Sequence, residues 1–163
     1  MTRVLSKTKP ILNKKASFNY NLLDKFEAGI VLTGNEIKQV RAGKVSLTDS
    51  YVIVRDGEAF LINAYVAPYE KAAETSADPR QSRKLLLNKR EVDFLIGKLA
   101  GSNLTIVPTR LYFRRNYAKI QIALAAGKKK YDKREAIKKR EEQREAEKLL
   151  RRAKLEAQKQ STN

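Results

Sequence analysis

The sequence predicts a mainly β domain with flanking α-helices, a small antiparallel barrel, followed by a basic C-terminal tail. Three observations lead there. Short runs rich in Val, Ile, Leu, Tyr and Phe recur between residues 28 and 124, as strands require. Two junctions between such runs carry hairpin signals. Composition then breaks at Gly127, where Lys128, Lys129 and Lys130 open a charged segment with few large apolar residues. Several short antiparallel strands with a few helices suit a small barrel, and pattern alone does not choose among barrel types. The expected division is a body over 1–126 and a tail over 127–163.

The elements follow in chain order. Residues 28–34 form a short apolar run bounded by glycines and read as a strand. Residues 35–40 read as a short helix, with Ile37 and Val40 three apart. Residues 51–55 and 58–62 flank Asp56-Gly57, a pair suited to the positive φ angles of a tight primed turn. Residues 68–82 carry no periodic pattern and read as a loop. In Lys89–Leu99, Val92, Leu95, Ile96 and Leu99 recur at helical spacing, with Asn88 as N-cap, Glu91 in a capping-box position and Gly101 as the stop. A second hairpin follows, from residues 105–107 and 110–113 through Arg114-Arg115-Asn116 to 117–124. Ile120, Ile122 and Leu124 share one face of its return strand. Pro108 cannot donate a ladder hydrogen bond and marks an edge, a bulge or a crossover.

Residues 132–159 lack Gly and Pro and are rich in helix formers. Glu135–Lys139 and Glu147–Arg151 are favourable i,i+4 pairs, whereas Lys148–Arg152 and Glu141–Glu145 repel. Ala146, Leu149, Leu150, Ala153 and Ala157 make one narrow apolar stripe. So thin a stripe predicts a free tail that is disordered or marginally helical, becoming helical on a partner that neutralises it. Residues 158–163 read as a frayed end.

The 163-residue chain holds 35 Lys and Arg against 18 Asp and Glu, a net charge of +17. Residues 1–126 carry 21 basic and 11 acidic side chains, and residues 127–163 carry 14 and 7. Both parts are basic, so both are expected to meet a polyanion, either nucleic acid or an anionic membrane. No apolar run approaches membrane-spanning length, and residues 1–11 are basic and polar without an apolar run, so no leader is expected and the cytoplasm is the expected compartment. Cys and His are both absent. Their absence removes thiolate and imidazole metal ligands and the usual base near neutral pH. Composition thus leans toward binding, with no cofactor, no metal and no need for more than a monomer.

Six segments, in order, resemble the SsrA-binding (small protein B) family. They are Asn13-Lys14-Lys15-Ala16, residues 26–38, residues 41–45 with 49–52, residues 57–61, residues 83–91 and residues 127–135. Each alone is weak; the ordered set is specific. The resemblance implies an oligonucleotide-binding-type antiparallel β-barrel with a basic tail. It implies binding of the tRNA-like domain of transfer-messenger RNA and its delivery to stalled bacterial ribosomes for trans-translation, with no catalysis. The tail is then read in the decoding centre and the empty messenger channel, chiefly by small-subunit RNA.

The resemblance puts Asn13, Glu27 and Leu86 at positions that grip the RNA elbow. Glu27 either accepts hydrogen bonds from a base edge or 2′-hydroxyl, or pairs with Lys38 or another cation. Leu86 is core or, by strand alternation within Leu85-Leu86-Leu87, faces outward. Lys14, Lys15, Arg41, Lys44, Arg83 and Lys84 are candidate phosphate contacts or solubilising charges. Phe18, Tyr20 and Phe60 are stacking or core residues. In the tail, Lys128, Lys129, Lys130 and Tyr131 place a flat ring among cations. Asp132, Lys133 and Arg134 match the family's decoding-centre motif, with Asp132 orienting a cation or acting as N-cap. Ile137 matches an apolar tail position. Tyr131 stands where family members often have His, and residues 141–144 lack a Trp found in some.

Three other readings compete. A ribosomal protein or general single-stranded-RNA binder shares the charge and size but not the ordered segments. A metal nuclease needs clustered carboxylates, and Glu27, Glu36 and Asp49 are scattered along the chain. A membrane-binding tail needs a broader apolar face than this stripe.

Overall fold

The computed structural model describes residues 8–72 and 77–160. The expectations for residues 1–7, for 73–76 within the loop and for 161–163 at the end lie outside the described residues. The chain falls into two compact units, 1–127 and 128–163. The first contains β1 (Ile11–Leu12), α1 (Lys14–Asn19), β2 (Tyr20–Ile30), α2 (Gly34–Arg41), β3 (Val45–Ser46), β4 (Tyr51–Arg55) and β5 (Glu58–Ile62). It continues with β6 (Tyr65–Val66), β7 (Arg83–Leu86), α3 (Lys89–Leu99), β8 (Leu104–Arg114) and β9 (Tyr117–Gly127). The second unit is one helix, α4 (Lys130–Gln160).

Among the described residues, seven strands form one antiparallel sheet in the order β1-β8-β4-β5-β7-β2-β9, and β9 pairs back onto β8. The sheet therefore closes into a barrel. Strand β8 is the hub. One of its edges pairs with β9 from Leu104↔Ala126 to Arg114↔Tyr117. The other edge takes β4 at Ile106 and β1 at Arg110 and Leu111. β3 and β6 pair separately.

The interior follows from alternation. On β9, Ile120, Ile122 and Leu124 point inward, joined by Val52, Ala59, Leu61, Leu85, Ile106 and Leu111 from the other strands. Val40 of α2 and Leu95 of α3 complete this core. Each fully buried Leu or Ile contributes about 1.5–3 kcal/mol. Ile96 departs from its expectation: it is exposed at the margin of the α3 stripe, while Val92 and Leu95 are buried. A smaller core lies outside the barrel, where Ala16 of α1 packs with Val107 and Ala125.

Both hairpins form on two-residue turns. Asp56 and Gly57 have φ of 52° and 73°, and Arg115 and Asn116 have φ of 49° and 70°. Pro108 is a bulge, since the β8–β9 register shifts between Pro108 and Arg110. The strand expected over 28–34 ends at Ile30 and begins at Tyr20. Its end is set by Thr33, which caps α2 while Glu36 accepts from the Thr33 N–H at 2.9 Å. A reciprocal capping box satisfies two helix donors that a continuing strand would leave unpaired. Within β2 a register shift separates Leu22 from Lys25.

Candidate nucleic-acid interface

The outer surface of β7, β2, β9 and β8 brings together residues far apart in sequence. Register places Leu86 beside Gly29, Gly29 beside Lys119, and Lys119 beside Tyr112. The next outward row runs Glu27, Gln121, Arg110. Leu86 is 55% exposed while Leu85 is 2% exposed, as period-two geometry demands. Tyr117 at the β8–β9 turn is 73% exposed. The surface therefore carries an apolar leucine, two tyrosines, a carboxylate and the cations Arg110, Arg114 and Lys119.

Glu27 has two hydrogen-bonding partners here. One carboxylate oxygen accepts from the Tyr112 hydroxyl, and the other accepts from Arg114 Nη1 at 3.2 Å. The cation beside Glu27 is thus Arg114; Lys38 instead sits 4.7 Å from the Tyr69 ring centre. The Tyr112 hydrogen bond holds the Glu27 carboxyl below the usual carboxylate range, helped by Arg114 and Lys119 against the opposing effect of burial. The Arg110 guanidinium lies 5.0 Å from the Tyr112 ring centre, a cation–π contact. Sequence reading did not single out Tyr112, Arg110, Arg114 or Lys119. Their outward phase on the second hairpin was the available signal, because Ile120 and Ile122 already defined the inward one.

Two expected contact residues are turned inward. Arg83 shares the inward phase of β7 with Leu85 and is 3% exposed. Its Nη2 pairs with Glu36 Oε1 at 2.7 Å, and its guanidinium also donates to the carbonyls of Ala64, Gln81 and Pro79. A guanidinium so enclosed is not presented to phosphate, so Arg83 is a structural cation. Burial alone would raise the Glu36 pKa, but hydrogen bonds from the Thr33 N–H, Gln81 and Arg83, with the Arg83 charge, hold it below the usual range.

Asn13 is 8% exposed. Its Oδ1 accepts from the Ala16 N–H at 3.3 Å, and its Nδ2 donates to the carbonyls of Pro108 at 2.9 Å and Leu47 at 3.1 Å. The side chain caps α1 and ties it to the β8 bulge and the 47–50 turn. Both protons of its amide are given to those two carbonyls.

The remaining candidates stay on the surface. Lys14 is exposed on α1, and Lys15 pairs with Asp49 at 3.0 Å. Lys84 faces outward on β7 and pairs with Glu58 at 2.6 Å. Arg41 ends α2 with its guanidinium 5.3 Å from the Phe113 ring centre, and Lys44 is exposed just beyond. Of the aromatics, Tyr20 packs on the small outer core.

In the second unit, α4 begins at Lys130, so Asp132 is in its first turn and is not the N-cap. Its carboxylate accepts from the Lys129 N–H at 3.3 Å, and a negative charge there suits the helix dipole. Tyr131 is exposed, and a hydrogen bond with Asp132 and its charge push the phenol up. Ile137, Leu149, Leu150 and Leu155 are exposed along the helix.

No group of acidic or metal-ligating side chains that could hold a metal ion occurs among the described residues. No helix among them is long and apolar enough to cross a membrane.

Comparison with known proteins bears on this arrangement. The family model described as SmpB protein matches residues 10–152. The SsrA-binding protein of Sulfurihydrogenibium sp. (strain YO3AOP1) is 54% identical over 136 residues, covering 83% of this chain and 90% of that protein. The SsrA-binding protein of Gloeothece citriformis (strain PCC 7424) is 44% identical over 154 residues, covering 93% and 99%. A solved structure described as "tmRNA-SmpB: a journey to the center of the bacterial ribosome" has a TM-score of 0.63 at 46% identity, covering 78% of this chain and 94% of that one.

Proposed function

The chain belongs to the SmpB protein family, and on that footing we propose that it binds transfer-messenger RNA and acts on stalled bacterial ribosomes in trans-translation. The observation that carries the body's part is the shared outward face of Leu86 and Glu27, framed by cations. RNA elbows and loops expose base edges and 2′-hydroxyls that such a mixed surface can read. Leu86 offers an apolar contact for an unstacked base, and Glu27 offers an acceptor.

Lys14, Lys15, Arg41, Lys44 and Lys84 supply phosphate contacts around this face, which set affinity and its salt dependence. Asn13 serves the RNA indirectly, by fixing α1 and the lysines it carries. The tail supplies the ribosomal part. Lys128, Lys129, Lys130, Lys133 and Arg134 neutralise small-subunit RNA phosphates, Tyr131 stacks on an exposed base, and Ile137 makes an apolar contact. The chain acts by binding, in the cytoplasm, as a monomer; it contains neither His nor Cys for catalysis.

The test is a titration of the purified protein at about physiological salt. It compares the tRNA-like domain of transfer-messenger RNA with ordinary tRNA and with a single-stranded RNA of equal length. Preference for the first is the expected result. Equal and steeply salt-dependent binding to all three would make the chain a general polyanion binder.

A further inference from the structure

Glu27 reaches its partners across a strand. It lies on β2, whereas Tyr112 and Arg114 lie on β8, and β9 runs between them. On β9, Gln121 stands beside Glu27, and Lys119 stands opposite Tyr112. The Glu27 side chain therefore spans outward over β9, where a lone glutamate would sweep through many rotamers. Resting on the reading that Glu27 contacts RNA, we infer that Tyr112 is a positioning residue for that contact, holding the carboxylate over β9 as a preset acceptor for an RNA hydroxyl or amino group.

Hydrogen-bond capacity supports this. An ionised carboxylate offers about four acceptor sites. The Tyr112 hydroxyl takes one on Oε2, and Arg114 takes one on Oε1. The other two remain for an incoming donor. Tyr112 is itself steadied, since the Arg110 guanidinium covers its ring. Fixing a side chain before binding removes the entropy loss that binding would otherwise impose.

Charge makes the same point. A bare carboxylate repels phosphate. Here Arg114 from β8 pairs with it and Lys119 from β9 acts on it by charge, Arg110 lies on the Tyr112 ring, and Lys84 on β7 is paired with Glu58. The face stays cationic toward the backbone of an RNA yet keeps one acceptor for a specific donor. Tyr112 is also the largest cause holding Glu27 ionised. Burial, then the hydrogen bond to Glu27 and its charge, push the Tyr112 phenol up, so it remains a donor.

The experiment is Tyr112→Phe, which keeps the ring and removes only the hydroxyl, titrated with the tRNA-like RNA between about pH 3.5 and 7 beside Glu27→Gln and the double variant. Affinity near neutral pH is expected to fall about 3- to 10-fold, the range for losing one ordinary net hydrogen bond. Removing Tyr112 raises the Glu27 pKa, so loss of affinity on acidification should begin at a higher pH than in the parent. The double variant should bind no more weakly than Glu27→Gln alone. Unchanged or tighter binding by Tyr112→Phe, with Glu27→Gln still impaired, would overturn the positioning role and leave the RNA-contact role of Glu27 standing. Fully additive losses would do the same, because Tyr112 would then act independently. If Glu27→Gln itself bound as the parent does, the contact role would fall, and the positioning role with it.

Discussion

The side chain of Leu86 lies across Gly29, so that a β-carbon at Gly29 would sit 3.3 Å from both Cβ and Cδ1 of Leu86. Glycine at that point of β2 is what lets a leucine from β7 lie over the strand on the outer surface. Gly29→Ala should push Leu86 aside by a few tenths of an ångström while leaving the inward face untouched. The expected outcome is RNA affinity lowered several-fold with little change in thermal stability, because a strand alanine regains about 0.5–1 kcal/mol of backbone entropy. Paired binding and thermal-unfolding measurements check it.

Arg83 and Glu36 make a second testable pair. Removing one partner of a buried ion pair leaves a stranded charge, so Arg83→Ala should cost about 3–5 kcal/mol of stability. Urea unfolding measures this directly. If Arg83 were instead a phosphate contact, the variant would keep its stability and show a shallower salt dependence in RNA binding.

The same pair gives a pH dependence. The Glu36 carboxyl is held below its usual 4.5 in the folded protein. A depressed carboxylate stabilises the fold above its unfolded pKa, and this contribution is lost as pH falls through the folded value. Stability should therefore decline below about pH 4.5, and Glu36→Gln should flatten that decline in urea midpoints measured between pH 3 and 6.

Asn13→Ala removes a helix cap and the Nδ2 donations to the carbonyls of Pro108 and Leu47, of which Leu47 keeps Ser50 as donor. A cap is worth about 1 kcal/mol and a stranded buried acceptor about 1–3, so a loss of about 2–4 kcal/mol is expected. RNA affinity should drop only as α1 loosens.

A chain ending at Gly127 keeps every strand of the barrel. It should bind the tRNA-like RNA nearly as well as the full chain and fail to support peptide tagging on ribosomes. Removing a single phosphate-binding cation from the body, as in Lys14→Ala or Lys44→Ala, should flatten the slope of log affinity against log salt by about 0.7–0.9. A large drop in RNA affinity on truncation would place the principal RNA-binding surface in the tail.

Local chemistry made much of this protein legible in advance. Asp56-Gly57 set one hairpin, Ile120, Ile122 and Leu124 set the inward phase of another, and Val92 with Leu95 set the α3 face. Net charge pointed to a polyanion as partner. These are signals that depend on residues a few positions apart. Thr33-Gly34-Asn35-Glu36 was readable in the same way, as a capping box, and ends the strand that the apolar run through Leu32 suggested should continue.

Tertiary structure alone decided what the charged and polar side chains do. Lys84 and Arg83 are adjacent cations in the sequence, yet strand phase sends one to water and the other to Glu36, which is 47 residues away. Asn13 looks like a free polar residue until barrel closure brings Pro108 and Leu47 to its amide. Glu27, Tyr112 and Arg114 meet because β9 pairs with both β2 and β8. Apolar periodicity reports which side of an element is buried, since burial is a property of the element's own face. The partner of a buried or bridging polar group is a property of the register between distant strands, and register is settled only when the whole sheet closes.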